Sequence, residues 1–142
     1  MERKVISLND KNFNFIPLIC YEIIYSGKIN LKKENTNFIV NISEDGWFGE
    51  TIGPHQHFSH TIFRAVEEGK NLIRSTNNGV SAFIDANGII LSKLESTKKG
   101  VIEINNYKKF NETFFSKFGN NIFFYIIIIY FILILFLKRG EA

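Results

Sequence analysis

The chain has 142 residues, enough for one modest domain with its own core. It carries 17 Lys and Arg against 14 Asp and Glu, a net charge of +3, with no arginine-rich stripe and no long run of like charges, so a nucleic-acid partner is not expected. Its single cysteine excludes an internal disulfide framework.

The opening "MERKVISLND" lacks the continuous apolar core that a signal peptide requires. Residues 13–20, "FNFIPLIC", are apolar and β-rich, and Pro17 marks a strand edge or a bulge. "YEIIYSGKINLKKEN" has room for a short helix and a loop. Residues 36–42, "TNFIVNI", read as a second, buried strand. "SEDGWFGETIGPHQH" follows as a glycine-rich loop. Pro54 falls where a first helical turn begins, and Phe58, Ile62, Ala65 and Val66 continue at helical spacing to a stop at Gly69. "NLIRST" and "VSAFID" are β-like runs separated by "NNG". "DANG", Asp85–Gly88, predicts a hairpin turn into "IILSKL", and "GVIEI" at 100–104 reads as a last strand. Strands that first alternate with helices and then form hairpins predict a mixed α/β layered domain.

From Phe118 to Leu137 there are 20 residues without a charge. At about 1.5 Å per residue they cover roughly 30 Å, the thickness of a bilayer core. A domain of this size has no room to bury a helix that is apolar on every side, so a transmembrane helix over 118–138 with a 139–142 tail is expected. Lys138 and Arg139 favour a cytoplasmic tail, while Lys108, Lys109 and Lys117 pull the other way.

Cys20 closes an apolar run just before a turn. Such a place exposes a sulfur and points backbone N–H groups at an incoming carbonyl, which suits acyl transfer through a thiolate. A small, inert core cysteine fits the same pattern. Glu22, two residues on, can reach the same pocket. His55, His57 and His60 form H-x-H-x-x-H. Only the last two share a helix face, no carboxylate stands at ligand spacing, and solvated or structural histidines are expected rather than a metal site. Arg64 with Glu67 and Glu68 reads as a helix-surface ion pair worth about 0.3–0.5 kcal/mol. Trp47 and Phe48, between glycines, either line a pocket or pack at the loop base.

Taken together, "LICYEIIY", "NISEDGWFGETIGPHQHF", "RAVEEGKNLIRSTNNGVSAFIDANGII" and the terminal apolar run resemble the last third of bacterial apolipoprotein N-acyltransferase, the membrane branch of the nitrilase superfamily. The likeness runs from about Asn14 to the end. It implies a partial nitrilase-like αββα sandwich over 1–115, followed by one C-terminal transmembrane helix. It also implies transfer of a fatty acyl chain from a phospholipid donor to the N-terminal amine of a diacylated apolipoprotein, through a thioester. Cys20 matches the nucleophile, Tyr21 and Glu22 the two residues beside it, and Trp47 and Phe48 the loop at the mouth of the site. No metal or organic cofactor is implied. The implied location is the bacterial inner membrane, with the soluble domain periplasmic and the tail cytoplasmic.

Two departures accompany the resemblance. Glu44-Asp45-Gly46 stands where the family usually has Asn-Asp-Ala, and Lys70-Asn71 where it often has Arg-Pro. In addition, the family's general-base glutamate and oxyanion lysine lie well upstream of the cysteine, whereas this chain begins 19 residues before Cys20. The expectation is that the chain does not turn over alone and works with a separately encoded N-terminal half. The competing readings are a non-catalytic membrane-anchored remnant and a nitrilase-type amide hydrolase.

Overall fold

The computed structural model describes residues 4–8, 13–27, 29 and 36–140. One sheet runs through the described residues, with its strands side by side in chain order. They are β1 (Ile6–Leu8), β2 (Phe13–Ile19), β3 (Phe38–Ser43), β4 (Asn71–Thr76), β5 (Ser81–Ile84) and β6 (Ile90–Leu94). β2, β3 and β4 are parallel, in the register Ile16↔Ile39 and Ile39↔Leu72. β1, β5 and β6 are antiparallel to their neighbours. Parallel neighbours need a crossover, and the helix α1 (Gly53–Glu68) supplies it between β3 and β4.

Period-two alternation sorts the strand residues onto two faces. Ile16, Leu18, Ile39, Leu72, Ala82 and Ile84 share the face under α1 and are fully or almost fully buried with Phe58 and Ala65 of that helix. Phe38 and Phe83 sit on the opposite face. There, Ile102, Ile104 and Tyr107 come over Phe13, Phe38 and Ile73 and line a groove of about 210 Å³. This placement corrects the expectation of a strand at 100–104. The alternating isoleucines point inward as the sequence suggests, yet they lie on the sheet's face and add no seventh strand to a sheet that ends at β6. Conversely, β1 gave no sequence signal.

The Pro54 start and the Gly69 stop of α1 are both found: Gly69 takes φ +63° and its N–H reaches Ala65 O and Val66 O. The buried stripe of α1 is Pro54, His57, Phe58, Thr61, Arg64, Ala65 and Glu68, with Val66 turned partly outward. Arg64 and its neighbours are therefore not a surface pair. Arg64 donates to Ile24 O at 3.0 Å and to Glu67 Oε1 at 2.7 Å, and Glu67 also accepts from Ser26 Oγ at 3.1 Å. These bonds clamp α1 to the turn that follows β2. Glu68 is buried where a second helix, α2 (Phe114–Phe118), meets α1, and accepts from Ser116 Oγ at 2.8 Å.

The apolar helix α3 spans Asn121–Gly140. Phe118 belongs instead to α2, because Gly119 at φ +54° turns the chain between them. That turn packs on Gly27, itself at φ +66°, where a Cβ would stand 2.7 Å from Asn120 Oδ1. The segment Asn121–Arg139 has a mean hydropathy of 2.5 and is not buried by the rest of the described residues. By length and composition α3 can cross a membrane.

Burial pushes the Glu68 carboxyl above its ordinary 4.5, against the hydrogen bond from Ser116 and the charges of Lys70 and Arg64. The fold thus favours the neutral acid. That contribution is complete below pH 4.5 and is lost as pH rises through the raised value. Glu68→Gln, neutral throughout, is expected to melt above the parent at pH 7 and level with it at pH 4; equal melting curves at both would contradict the assignment.

Candidate active site

The carboxyl ends of parallel strands are where α/β sheets place their ligands. Cys20 stands there, directly after β2, as the first residue of a 3-10 helix, Cys20–Ile24. Its φ is +49°, in the left-handed region. For a side chain with a Cβ this costs about 1–2 kcal/mol and persists only where the surroundings enforce it. Two side chains do so. Glu22 Oε2 accepts from Ile19 N–H at 2.8 Å, folding back over the bend. Asn41 Nδ2 donates to Leu18 O at 3.1 Å and to Cys20 O at 3.3 Å, fixing the carbonyls on either side of it. The sulfur is half-buried, its thiol 3.9 Å from Glu44 O and its Sγ 3.5 Å from Ser43 Oγ.

Below the sulfur lies a buried polar cluster that sequence reading missed. Arg74 on β4 donates through Nη2 to Asp45 Oδ2 at 2.7 Å, and through Nη1 to Asn41 Oδ1 and to Thr61 Oγ1 at 3.2 Å. Asp45 Oδ1 accepts from Ser43 Oγ at 2.8 Å and lies 2.9 Å from His57 Nδ1. The same Nδ1 is 3.2 Å from Arg74 Nη2, but an arginine can only donate. The proton on Nδ1 is therefore assigned by the carboxylate, which needs it, and the arginine contact is close packing. Burial alone would raise the Asp45 carboxyl. The hydrogen bonds from His57 and Ser43 and the Arg74 charge outweigh it and hold the group at about 2.

Next to Cys20 in the chain, Tyr21 stacks on Phe48 with ring centres 6.2 Å apart and lies 5.3 Å from the His57 ring. The structure thus brings Tyr21 and Phe48 together, and sets Glu22 against the backbone of Ile19 just before Cys20. Trp47, on the same loop, stands away from it, 86% exposed. The three histidines do not converge: His57 is buried against Asp45, whereas His55 is exposed. Among the described residues no group of three or more His, Cys, Asp or Glu is arranged to hold a metal ion. The clue to the buried cluster is in the strands themselves: Asn41 and Arg74 are the polar interruptions of "FIVNIS" and "NLIRST", and they pair in register.

The sequence profile described as carbon-nitrogen hydrolase matches residues 2–105. Among curated proteins, the apolipoprotein N-acyltransferase of Wigglesworthia glossinidia brevipalpis is 43% identical over 128 residues, 89% of this chain and 26% of that one. The apolipoprotein N-acyltransferase of Haemophilus influenzae is 46% identical over 88 residues, 61% of this chain and 17% of that one. The chain therefore spans about a quarter or less of the length of the curated relatives it matches. Among solved structures, a CN-hydrolase superfamily protein of Xanthomonas campestris superposes with a TM-score of 0.55 at 14% identity, over 70% of this chain and 42% of that one. An amidase of the nitrilase superfamily from Nesterenkonia superposes at 0.50 and 17% identity, over 68% and 38%. These two likenesses concern the fold alone.

Breaking a buried ion pair leaves an unpaired charge, so Asp45→Ala is expected to lose about 3–5 kcal/mol, and Asp45→Ala with Arg74→Met distinctly less than the two changes summed. The depressed Asp45 carboxyl also dates its contribution on the pH scale. It is complete above the ordinary 3.8 and disappears as pH falls through about 2. Urea midpoints of the parent should drop between pH 4 and 2, and those of Asp45→Asn should drop less; parallel curves would remove Asp45 from the acid transition.

Proposed function

The chain belongs to the carbon-nitrogen hydrolase family, and on that premise we propose that it is the nucleophile-bearing part of an apolipoprotein N-acyltransferase, with Cys20 as the nucleophile. The observation that carries this reading is the left-handed Cys20, held at the strand ends by Glu22 and Asn41 in a chain that also bears a membrane-length apolar helix. Strain kept at one cysteine by neighbouring side chains is what a presented nucleophile needs and an inert core cysteine does not. The identity with N-acyltransferases supports the substrate class.

In this reading the Cys20 thiolate attacks the ester carbonyl of a phospholipid. The S–C bond forms, the ester C–O bond breaks, and the lysophospholipid leaves as an alcohol with the proton that a base had taken from the Cys20 thiol. The N-terminal amine of a diacylglyceryl-cysteine protein then attacks the thioester. The N–C bond forms, the C–S bond breaks, the amine proton passes to a base and the thiolate returns. The thioester holds the acyl group in activated form and the amide made from it lies lower in free energy, so the amine takes the chain without ATP, and no metal or organic cofactor enters either step. Tyr21 and Phe48 form an aromatic wall beside the cysteine turn, Glu22 shapes the bend, and the exposed Trp47 reaches for lipid or acceptor. Residues 1–115 form the catalytic part, and the apolar helix anchors it in the inner membrane with the site on the periplasmic side and the tail cytoplasmic.

The second face of the sheet supports a partner. Beside Cys20 it exposes Ile19 and Ile42, cross-strand neighbours 58% and 55% accessible. Apolar residues so placed call for a cover. The rest of an N-acyltransferase would cover them and bring the base and the charge-stabilising lysine.

The test is acyl transfer to a diacylated lipopeptide in phospholipid vesicles, with the full chain alone and co-expressed with the upstream portion of the Wigglesworthia relative. Turnover is expected only in the pair, and Cys20→Ala is expected to abolish it. Turnover of simple amides without acyl transfer would replace this reading by a hydrolase. No Cys20-dependent reaction in the folded pair would replace it by a non-catalytic remnant.

A further inference from the structure

We propose that Ser43 is a positioning residue that stabilises the Cys20 thiolate, its hydroxyl turning between Asp45 and the sulfur as the sulfur gains and loses charge. The inference rests on Cys20 acting as a nucleophile, and it names the group on which its charged form leans.

Ser43 is the last residue of β3, buried, with its Oγ between two acceptors: Asp45 Oδ1 at 2.8 Å and Cys20 Sγ at 3.5 Å. A hydroxyl has one proton and bonds one acceptor at a time. When the sulfur is a thiol it carries its own proton and points it at Glu44 O. Ser43 then bonds the carboxylate, the stronger and nearer acceptor. When the sulfur is a thiolate it has lost that donor role and needs a proton aimed at it, and the Ser43 hydroxyl is within reach. Only rotation about the Cβ–Oγ bond is required; no heavy atom moves.

Release of Asp45 is possible because Asp45 has other partners. His57 Nδ1 stands 2.9 Å from the same oxygen, and Arg74 Nη2 holds the other at 2.7 Å. The carboxylate therefore stays charged and paired when the hydroxyl turns away. Arg74 also interacts with Cys20 through its charge, and Asp45 lies against the guanidinium and counters it. The side-chain donor that the geometry places at the sulfur is the Ser43 hydroxyl. The same bond serves twice in an acyl transfer. It stabilises the attacking thiolate, and it stabilises the thiolate that leaves when the thioester breaks. The proton stays on Ser43 throughout.

The chain's one cysteine makes the test clean. Full chain in detergent micelles is alkylated with iodoacetamide across pH 5–10, and the rate reports Cys20 alone. A hydrogen bond to a charged group is lost in Ser43→Ala. Its rate–pH midpoint is expected to move up by about one unit, which makes alkylation about tenfold slower at neutral pH. Ser43→Thr, which keeps the hydroxyl, is expected to restore the parent midpoint. A merely structural Ser43 would change the melting temperature and leave the midpoint in place, and that result overturns the proposal. Should Ser43→Ala not fold, Ser43→Val and Ser43→Thr are compared: they are isosteric and differ by the hydroxyl. A Val midpoint above the Thr midpoint supports the proposal, and coincident midpoints overturn it. Alkylation needs no lipid and no partner. A Ser43-dependent midpoint in a chain that fails every acyl-transfer assay would defeat the acyltransferase reading and leave this one standing; acyl transfer with unmoved midpoints would do the reverse.

Discussion

The buried ion pair between Asp45 and Arg74 is the constraint on which the site depends. Taking both charges out of water costs several kcal/mol per ion, and their attraction offsets this only with full hydrogen bonding. The cluster supplies most of it: Asn41 and Thr61 accept from Arg74 Nη1, and Ser43 and His57 reach Asp45, while Arg74 Nε and His57 Nε2 are buried without a partner among the described residues. These six residues come from β3, β4, α1 and the loop after β3, and Asn41 carries the network on to the end of β2 and to Cys20 through their carbonyls. It also selects a register. A one-residue slip of β4 would send Arg74 to the opposite face, away from its carboxylate, while the apolar residues of "NLIRST" would find acceptable places either way.

From this network the geometry of the nucleophile follows by one more step. Arg74 orients the Asn41 amide by donating to its oxygen, and the amide nitrogen then faces the Leu18 and Cys20 carbonyls. The left-handed bend at Cys20 is thereby held from below by a charge pair and from above by Glu22. Downstream of the bend, the Arg64–Ile24 bond and the Gly27 contact with Asn120 continue the connection to α1 and to the base of the apolar helix. The nucleophile turn is thus fastened at both ends.

Most of the sheet was legible in the sequence because its strands are apolar runs and several are bounded by Gly and Asx turns. The Asp85–Gly88 hairpin is a good instance: Asp85 Oδ1 accepts from the N–H groups of Asn87 and Ile89 and Gly88 takes φ +83°, as such a turn requires. The misses have physical reasons. β1 has three residues, all exposed, and so leaves no pattern. Residues 100–104 have a strand's alternation, yet alternation reports which side chains turn inward and not whether the backbone joins a ladder. Arg64 and Glu68 read as surface because charges usually are; their burial is decided by partners 40 residues away or more, and Arg74, inside a β-like run, is paired with a carboxylate 29 residues away. Cys20, Tyr21 and Glu22, with Trp47 and Phe48, could be named from the sequence because they stand in two short local stretches, whereas Ser43, Asp45 and Arg74 became visible as a cluster only once the parallel register brought them together.

The same register accounts for a departure from the acyltransferase pattern. Glu44 and Gly46 stand in place of the usual Asn and Ala, and the two changes are coupled in space. The Glu44 carboxylate folds back, accepting from Gly46 N–H at 2.7 Å through Oε1 and from Asn77 Nδ2 through Oε2. A Cβ on residue 46 would lie 2.5 Å from that Oε1, so the longer acid at 44 occupies the space an alanine would need. Asp45, between them, is held at its backbone by Asn77 Oδ1 at 3.3 Å and packs so closely on Gly79 that no side chain fits there. The loop thereby delivers the carboxylate of Asp45 to Ser43, His57 and Arg74.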